Sequence, residues 1–143
     1  MKIITIEIPG NPISKARPRF ARRGKFTTTY NPGETEEGKF LLLAREQIGK
    51  VEPMKGPIRI ECCFYIKRPK SHYRTGKNSW KLKQSSPKYP SLKPDIDNLL
   101  KFVFDSLNGH CWVDDAQIVY VVSEKCYTKE YPRTTVCVYE LTN

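Results

Sequence analysis

At 143 residues the chain has the size of one compact domain, and a second independent core would be hard to fit into it. Lys and Arg total 25 against 15 Asp and Glu, so the net charge is +10 and the partners it selects are polyanions: nucleic acid, an anionic membrane surface or an acidic protein. No stretch approaches the roughly 18 apolar residues of a membrane span and the N-terminus lacks the regions of a signal peptide, so no membrane partner and a cytoplasmic location are expected.

Residues 2–8 mix β-branched residues with partial alternation and are stopped by Pro9-Gly10-Asn11-Pro12, which predicts an opening strand. A long basic loop follows. In residues 15–25 six of eleven are Lys or Arg, none is acidic, and Phe20 and Phe26 are interleaved nearby. Over residues 34–48, Phe40, Leu41, Ala44 and Ile48 recur at helical spacing, with acidic residues at the start, Gly49 as a C-cap and Lys50 at the end, in accord with the helix dipole. Residues 58–66 alternate Ile58, Ile60, Cys62, Phe64 and Ile66 with more polar neighbours, the signature of a strand with one buried face.

Residues 67–93 form a long positive loop, rich in Lys, Ser, Pro and aromatics, of a length usually functional or disordered; ordering on a polyanion is the functional reading and a solvated insertion the bland one. A helix over about residues 94–107 and strands over about 117–127 and 134–141 complete the order β-α-β-α-β-β. The expected fold is α+β: one small domain, a mixed sheet of about four strands and two helices packed on one face. The five cysteines show no C-x-x-C spacing, and reduced, packed thiols are the expectation.

The segment KPDIDNLLK, residues 93–101, concentrates acid at the edge of a basic protein. Ile96, Leu99, Leu100, Val103 and Leu107 make a stripe for the sheet, Asp97, Lys101 and Asp105 recur on the opposite side, and Asp95 stands where the loop enters the helix. Close carboxylates repel one another, and a cation is the common way to hold them ionised together; magnesium prefers such oxygen ligands. Asp114 and Asp115 give a second acidic pair after the turn at Asn108-Gly109. Taken singly, each Asp has a bland role, as a helix cap or turn residue, and Lys101 would serve as an i,i+4 partner of Asp97 or Asp105. Together, beside a polyanion-binding surface, they suit metal-assisted phosphodiester hydrolysis, with Lys101 neutralising charge on the phosphorus in the transition state.

The sequences DIDNLLK, FDSL (residues 104–107) and WVDDAQI (residues 112–118) resemble the pattern D-x-D-N-x-x-K, F-D-x-L, W-x-D-D-x-Q-[IV] of the RusA family of Holliday-junction resolvases. Looser similarity extends to residues 58–62 and to residues 9–19. The resemblance implies a homodimeric, magnesium-dependent endodeoxyribonuclease, with manganese as an alternative ion and no small-molecule cofactor, that makes paired nicks in branched DNA, the four-way junction of recombination and repair. Asp95, Asp97 and the second acid of the later pair, Asp115, match the family's metal-binding aspartates and Lys101 its catalytic lysine; whether Asp114 takes part is left open by the resemblance. Two identical sites suit a junction that presents two equivalent strands. No uninterrupted apolar face marks the dimer interface.

The chain departs from the family's compact members in its longer segment 67–93 and in Pro94, where they carry a basic residue. Lys93 and the cluster Lys15, Arg17 and Arg19 are assigned to DNA phosphates from charge alone. His72 and His110 read as loop or solvated histidines, Trp112 as a core residue beside the acidic pair. Phe20, Phe26, Tyr73, Trp80 and Tyr89 are open to two readings, stacking on unpaired bases and anchoring the loops. Two other functions stay open: a noncatalytic nucleic-acid-binding module, which leaves the acids unexplained, and a flap- or fork-selective nuclease with the same metal chemistry.

Overall fold

The computed structural model describes residues 2–15, 19–23, 26–30 and 34–143; for residues 19–23, 26–30, 34 and 35 the description covers the backbone alone. Six strands and two helices are defined in these residues: β1 (Ile3–Pro9), β2 (Arg19–Arg23), β3 (Phe26–Tyr30), α1 (Glu34–Ile48), β4 (Ile58–Lys67), α2 (Ile96–Leu107), β5 (Ile118–Thr128) and β6 (Arg133–Glu140).

The period-2 patterns act as expected. In β1 the side chains of Ile4, Ile6 and Ile8 are buried while their neighbours face solvent, and in β4 Ile58, Ile60, Cys62 and Phe64 are buried. Between these strands β6 contributes Thr134, Val136 and Val138 to the same face. The order is β1-β6-β4-β5, with β1 and β4 antiparallel to β6 and β5 parallel to β4. A four-stranded mixed sheet with two helices is therefore the architecture, and it is α+β. One row of the core crosses it from Ile6 through Val136 to Cys62.

Phe40 and Ala44 of α1, and Leu99, Phe102, Val103 and Leu107 of α2, join that buried face in one cluster with Met54, Cys111 and Trp112. Phe40 and Phe102 meet edge to face with ring centroids 5.6 Å apart, which joins the two helices. Leu41, Ile48, Ile96 and Leu100 pack at the margin. All five cysteines are free; burial pushes the Cys62 thiol up to about 12 and that of Cys111 to about 11, so both stay protonated and inert at neutral pH.

Two sequence expectations need correction. The basic stretch after β1 was expected to be a loop, yet β2 and β3 form an antiparallel two-stranded hairpin there, with Arg19 opposite Tyr30 and Arg23 opposite Phe26. Its charge hid the strand pattern, since Arg-Phe-Ala-Arg-Arg has no apolar face to alternate. Second, an apolar run does stand bare: β5 is an edge strand, and Val119, Tyr120, Val121 and Val122 are exposed along it.

The core assignment predicts that Leu99→Ala lowers stability by about 2–5 kcal/mol in urea unfolding, because Leu99 is fully buried, whereas Leu42→Ala on the exposed side of α1 changes it by no more than about 0.5 kcal/mol.

Candidate active site

Parallel pairing of β4 with β5 dictates where the acidic residues go. Parallel neighbours need a crossover, so the chain leaves the end of β4, runs through residues 68–95, returns along α2 and starts β5 beside the beginning of β4. Asp95 and Asp97 are thus delivered to the end of the sheet where β4 and β5 finish. The delivery is tied down by Lys125 of β5, whose Nζ donates to the carbonyl oxygens of Leu92 and Pro94, each at 2.9 Å. The Lys93–Pro94 peptide bond is cis.

Asp95 occupies the N-cap position of α2 with extended φ/ψ of −71° and 142°, yet its side chain makes no capping hydrogen bond. Asp97 lies in the first turn. Both are exposed, and among the described residues neither enters an ion pair, although the chain carries an excess of cations. The bland reading of Asp95 as a cap therefore has no hydrogen bond to support it. The carboxylates face solvent at a helix N-terminus, where the macrodipole favours negative charge.

The second pair divides its labour. Asp114 caps a short 3-10 turn, residues 115–117, in a reciprocal capping box with Gln117, whose side chain also donates to the carbonyls of Met54 and Gly56. Asp115 accepts a 2.8 Å hydrogen bond from the indole Nε1 of Trp112, which is fully buried against Phe104. One Asp is spent on local structure; the other is aimed by a core side chain. Before them, the turn out of α2 relies on Gly109, whose φ of 79° suits glycine and whose N–H donates to Trp112.

Among the described residues no three His, Cys, Asp or Glu side chains gather closely enough to form a metal cage. Asp95 and Asp97 stand at the beginning of α2, and Asp115 follows its far end. The donor chemistry nevertheless fits a hard cation of the magnesium kind, which commonly takes one or two protein carboxylates and completes its shell with water and substrate phosphate.

The predicted cations separate into different roles. Lys101 is 63% exposed, one turn beyond Asp97, and its Nζ is 3.7 Å from Asp105. Lys15 is only 14% exposed: its ammonium bonds Glu37 of α1 and lies 3.2 Å from Asp105 of α2, while its backbone N–H donates to Asn98. Burial pulls the Lys15 pKa down, but the bonds to Glu37 and Asp105 outweigh that and hold it above the ordinary lysine value. That placement makes Lys15 a bridge between the helices, rather than the free cation expected from charge. Lys93 is exposed beside the cis bond. Arg17 lies outside the described residues, and Arg19 is on β2 with its side chain outside them.

Sequence reasoning missed Lys125. The strand pattern around it was legible, and the only signal was a lysine on the core-facing register of β4 and β5, opposite Phe64. The histidines are better placed than expected: His72 meets the Tyr127 ring edge-on at 5.3 Å, and His110 Nδ1 lies 2.8 Å from Arg45. A groove of about 520 Å³ beside His110, between α1 and the turn after α2, is mostly apolar and lies at the opposite end of α2 from Asp95.

The model of the endodeoxyribonuclease RusA family matches residues 9–139, from the end of β1 into β6. The chain belongs to the RusA family. It is also 31% identical over 145 residues to the uncharacterized protein YqaN of Bacillus subtilis (strain 168), covering 99% of each chain. As a RusA-family member it falls among endodeoxyribonucleases.

The division between the acids predicts opposite effects on stability. Asp114→Ala should cost about 0.5–2 kcal/mol in chemical denaturation, the usual loss for a cap. Asp95→Asn should leave stability within about 0.5 kcal/mol of the parent. A large loss at Asp95 would mean that its carboxylate holds the fold.

Proposed function

We propose that this RusA-family protein is a magnesium-dependent nuclease that resolves four-way DNA junctions by symmetric paired nicks, as a homodimer, in recombination and repair. The observation that carries the reading is the pair of exposed carboxylates, Asp95 and Asp97, two residues apart at the start of α2 and without an ion pair among the described residues, in a protein with net charge +10. Carboxylates without counter-cations on a surface meant for phosphates oppose binding unless a cation joins them.

In this reading Asp95 and Asp97 hold the ion; Asp115, aimed by Trp112, matches the third acid of the family motif but follows the far end of α2 in this chain. When bound, a magnesium ion supplies Lewis acidity toward the scissile phosphate and an activated water. The remaining work falls to the chain. Lys125 fixes the carbonyls of Leu92 and Pro94 and so sets where Asp95 stands. The exposed ammonium of Lys101, one turn along the same helix, offsets charge building on the phosphate oxygens. Lys93, at the loop exit, and Arg17 and Arg19, by charge, are assigned to the flanking backbone.

The homodimer has a matching surface. Residues 117–123 contain no charged side chain, and Val119, Tyr120, Val121 and Val122 are exposed on an edge strand that pairs only with β4 among the described residues. Two strongly basic copies repel over most of their surface, and among the described residues the one cation against the apolar residues of this edge, Arg59 over Tyr120, is paired with Glu61, so the electrostatic cost is low; a second copy of β5 is the occupant we assign.

Two results test these assignments. On a labelled synthetic four-way junction, cleavage should require magnesium, fall on symmetric strands and spare a linear duplex; Asp97→Asn should remove it, and Lys101→Met should slow it about 10²-fold or more at unchanged binding. Cutting of flaps or forks in preference to junctions would move the protein to the flap-nuclease alternative. Separately, Tyr120→Glu with Val122→Lys should yield a folded monomer in analytical ultracentrifugation, and a dimer of unchanged affinity would remove β5 from the interface.

A further inference from the structure

The excursion of residues 68–92 is built, and what it builds is unused by the site above. Arg68 stacks over Tyr127 of β5 at 4.3 Å and donates to the Pro87 carbonyl at 2.8 Å. Within the excursion the Lys83 N–H donates to His72, the Arg74 N–H donates to Lys81, and Tyr73 bridges Leu82. These bonds give the segment its own framework, anchored on the end of β5.

At the tip of that framework Trp80 is 73% exposed, while the chain's other tryptophan, Trp112, is fully buried. No aromatic ring packs on Trp80 among the described residues; its one partner is the Lys81 ammonium, 5.0 Å from the ring centroid. Beside it opens a groove of about 580 Å³ lined by Tyr73, Trp80, Lys81, Leu82 and Lys129. No acidic residue occurs between Glu61 and Asp95, and nine Lys or Arg do. An exposed aromatic plane on a fixed loop, with the Lys81 ammonium against it and Lys129 lining the same groove, costs free energy in water and is complemented by a planar, apolar-faced group carried on an anionic backbone.

We infer that Trp80, with Tyr73, Lys81 and Lys129, forms a stacking site for an unpaired nucleobase of single-stranded or branched DNA. Duplex DNA presents no free base face to it, so the groove discriminates against intact duplex, whereas its lysines alone would not. Position supports a role beside cleavage. Lys129, in the groove, is four residues beyond Lys125, which holds the segment before Asp95; along an extended chain that is roughly 13 Å. A base drawn out of a junction could therefore be held while a nearby phosphate reaches the carboxylates. The inference rests on the DNA-binding reading and is independent of the metal site.

Its test uses the full-length protein in chelator, so that no cleavage intervenes. A 12-mer of oligo(dT) and a blunt duplex are titrated while tryptophan emission is followed, with Trp80→Phe as the spectroscopic blank that leaves only buried Trp112. The expected result is quenching by oligo(dT) in the parent, none in Trp80→Phe, and little with duplex. Trp80→Ala should weaken oligo(dT) binding roughly ten-fold or more, with duplex affinity unchanged. Binding without quenching, equal quenching by duplex, or an unchanged affinity in folded Trp80→Ala would each overturn the stacking site. If the junction is nicked normally while oligo(dT) fails to quench, the stacking site alone falls; if the protein binds no DNA at all, the nuclease reading falls with it.

Discussion

Parallel pairing of β4 with β5 is the constraint on which the rest of the molecule depends. Had the two strands been antiparallel neighbours, a short hairpin would have joined them and no helix would have been required. Because they are parallel, α2 must carry the chain back across the sheet, with its apolar stripe inward and its N-terminus at the end where both strands finish. That single requirement puts Asp95 and Asp97 at one rim, sends the long basic excursion out from the same rim, and leaves β5 as an edge. The lysine at position 125 then converts a topological neighbourhood into a fixed one by holding the two carbonyls that precede Asp95.

Electrostatics gives this rim its character. Several other acids of the chain have internal partners: Glu37 and Asp105 take up Lys15, Glu61 pairs with Arg59, Glu7 meets Arg133, and Glu140 accepts the N–H groups of Lys55 and Gly56, which lower its pKa. Asp114 is a cap. Asp95 and Asp97, like Glu46 and Glu52, are exposed and enter no ion pair among the described residues, but only they stand two residues apart at the start of α2. Two carboxylates this close together at one helix N-terminus are the feature on which the proposed cation site rests.

Much of this was legible in the residues. Periodicity located β1, α1, β4, α2, β5 and β6 to within about two residues, since each carries an apolar face that must be buried, and the acidic motif stood out against a basic background. Other features depend on partners far away in sequence and left no local trace. Lys15 looked like one more cation in a basic run until α1 and α2 brought Glu37 and Asp105 to it. Lys125 looked like the polar residue of a strand until the crossover laid Pro94 above it. The β2–β3 hairpin was masked by its arginines, and the bare face of β5 by the usual inference that consecutive apolar residues are covered. Asp114 and Asp115 are set apart in sequence by the family motif alone, and in the structure by Trp112, which holds Asp115.

The central claim is that the Asp95–Asp97 pair is a cation site that governs how closely DNA phosphates approach. It is tested most directly by measuring four-way-junction affinity in chelator and in calcium, for the parent and for the double variant Asp95→Asn, Asp97→Asn. Calcium supplies the charge and oxygen-ligand preference of the cation while cleavage is monitored in parallel. The account predicts that in chelator the variant binds the junction more tightly than the parent, and that calcium tightens the parent until the difference closes while leaving the variant unchanged. A parent indifferent to calcium, together with a folded variant that binds no tighter in chelator, would contradict it.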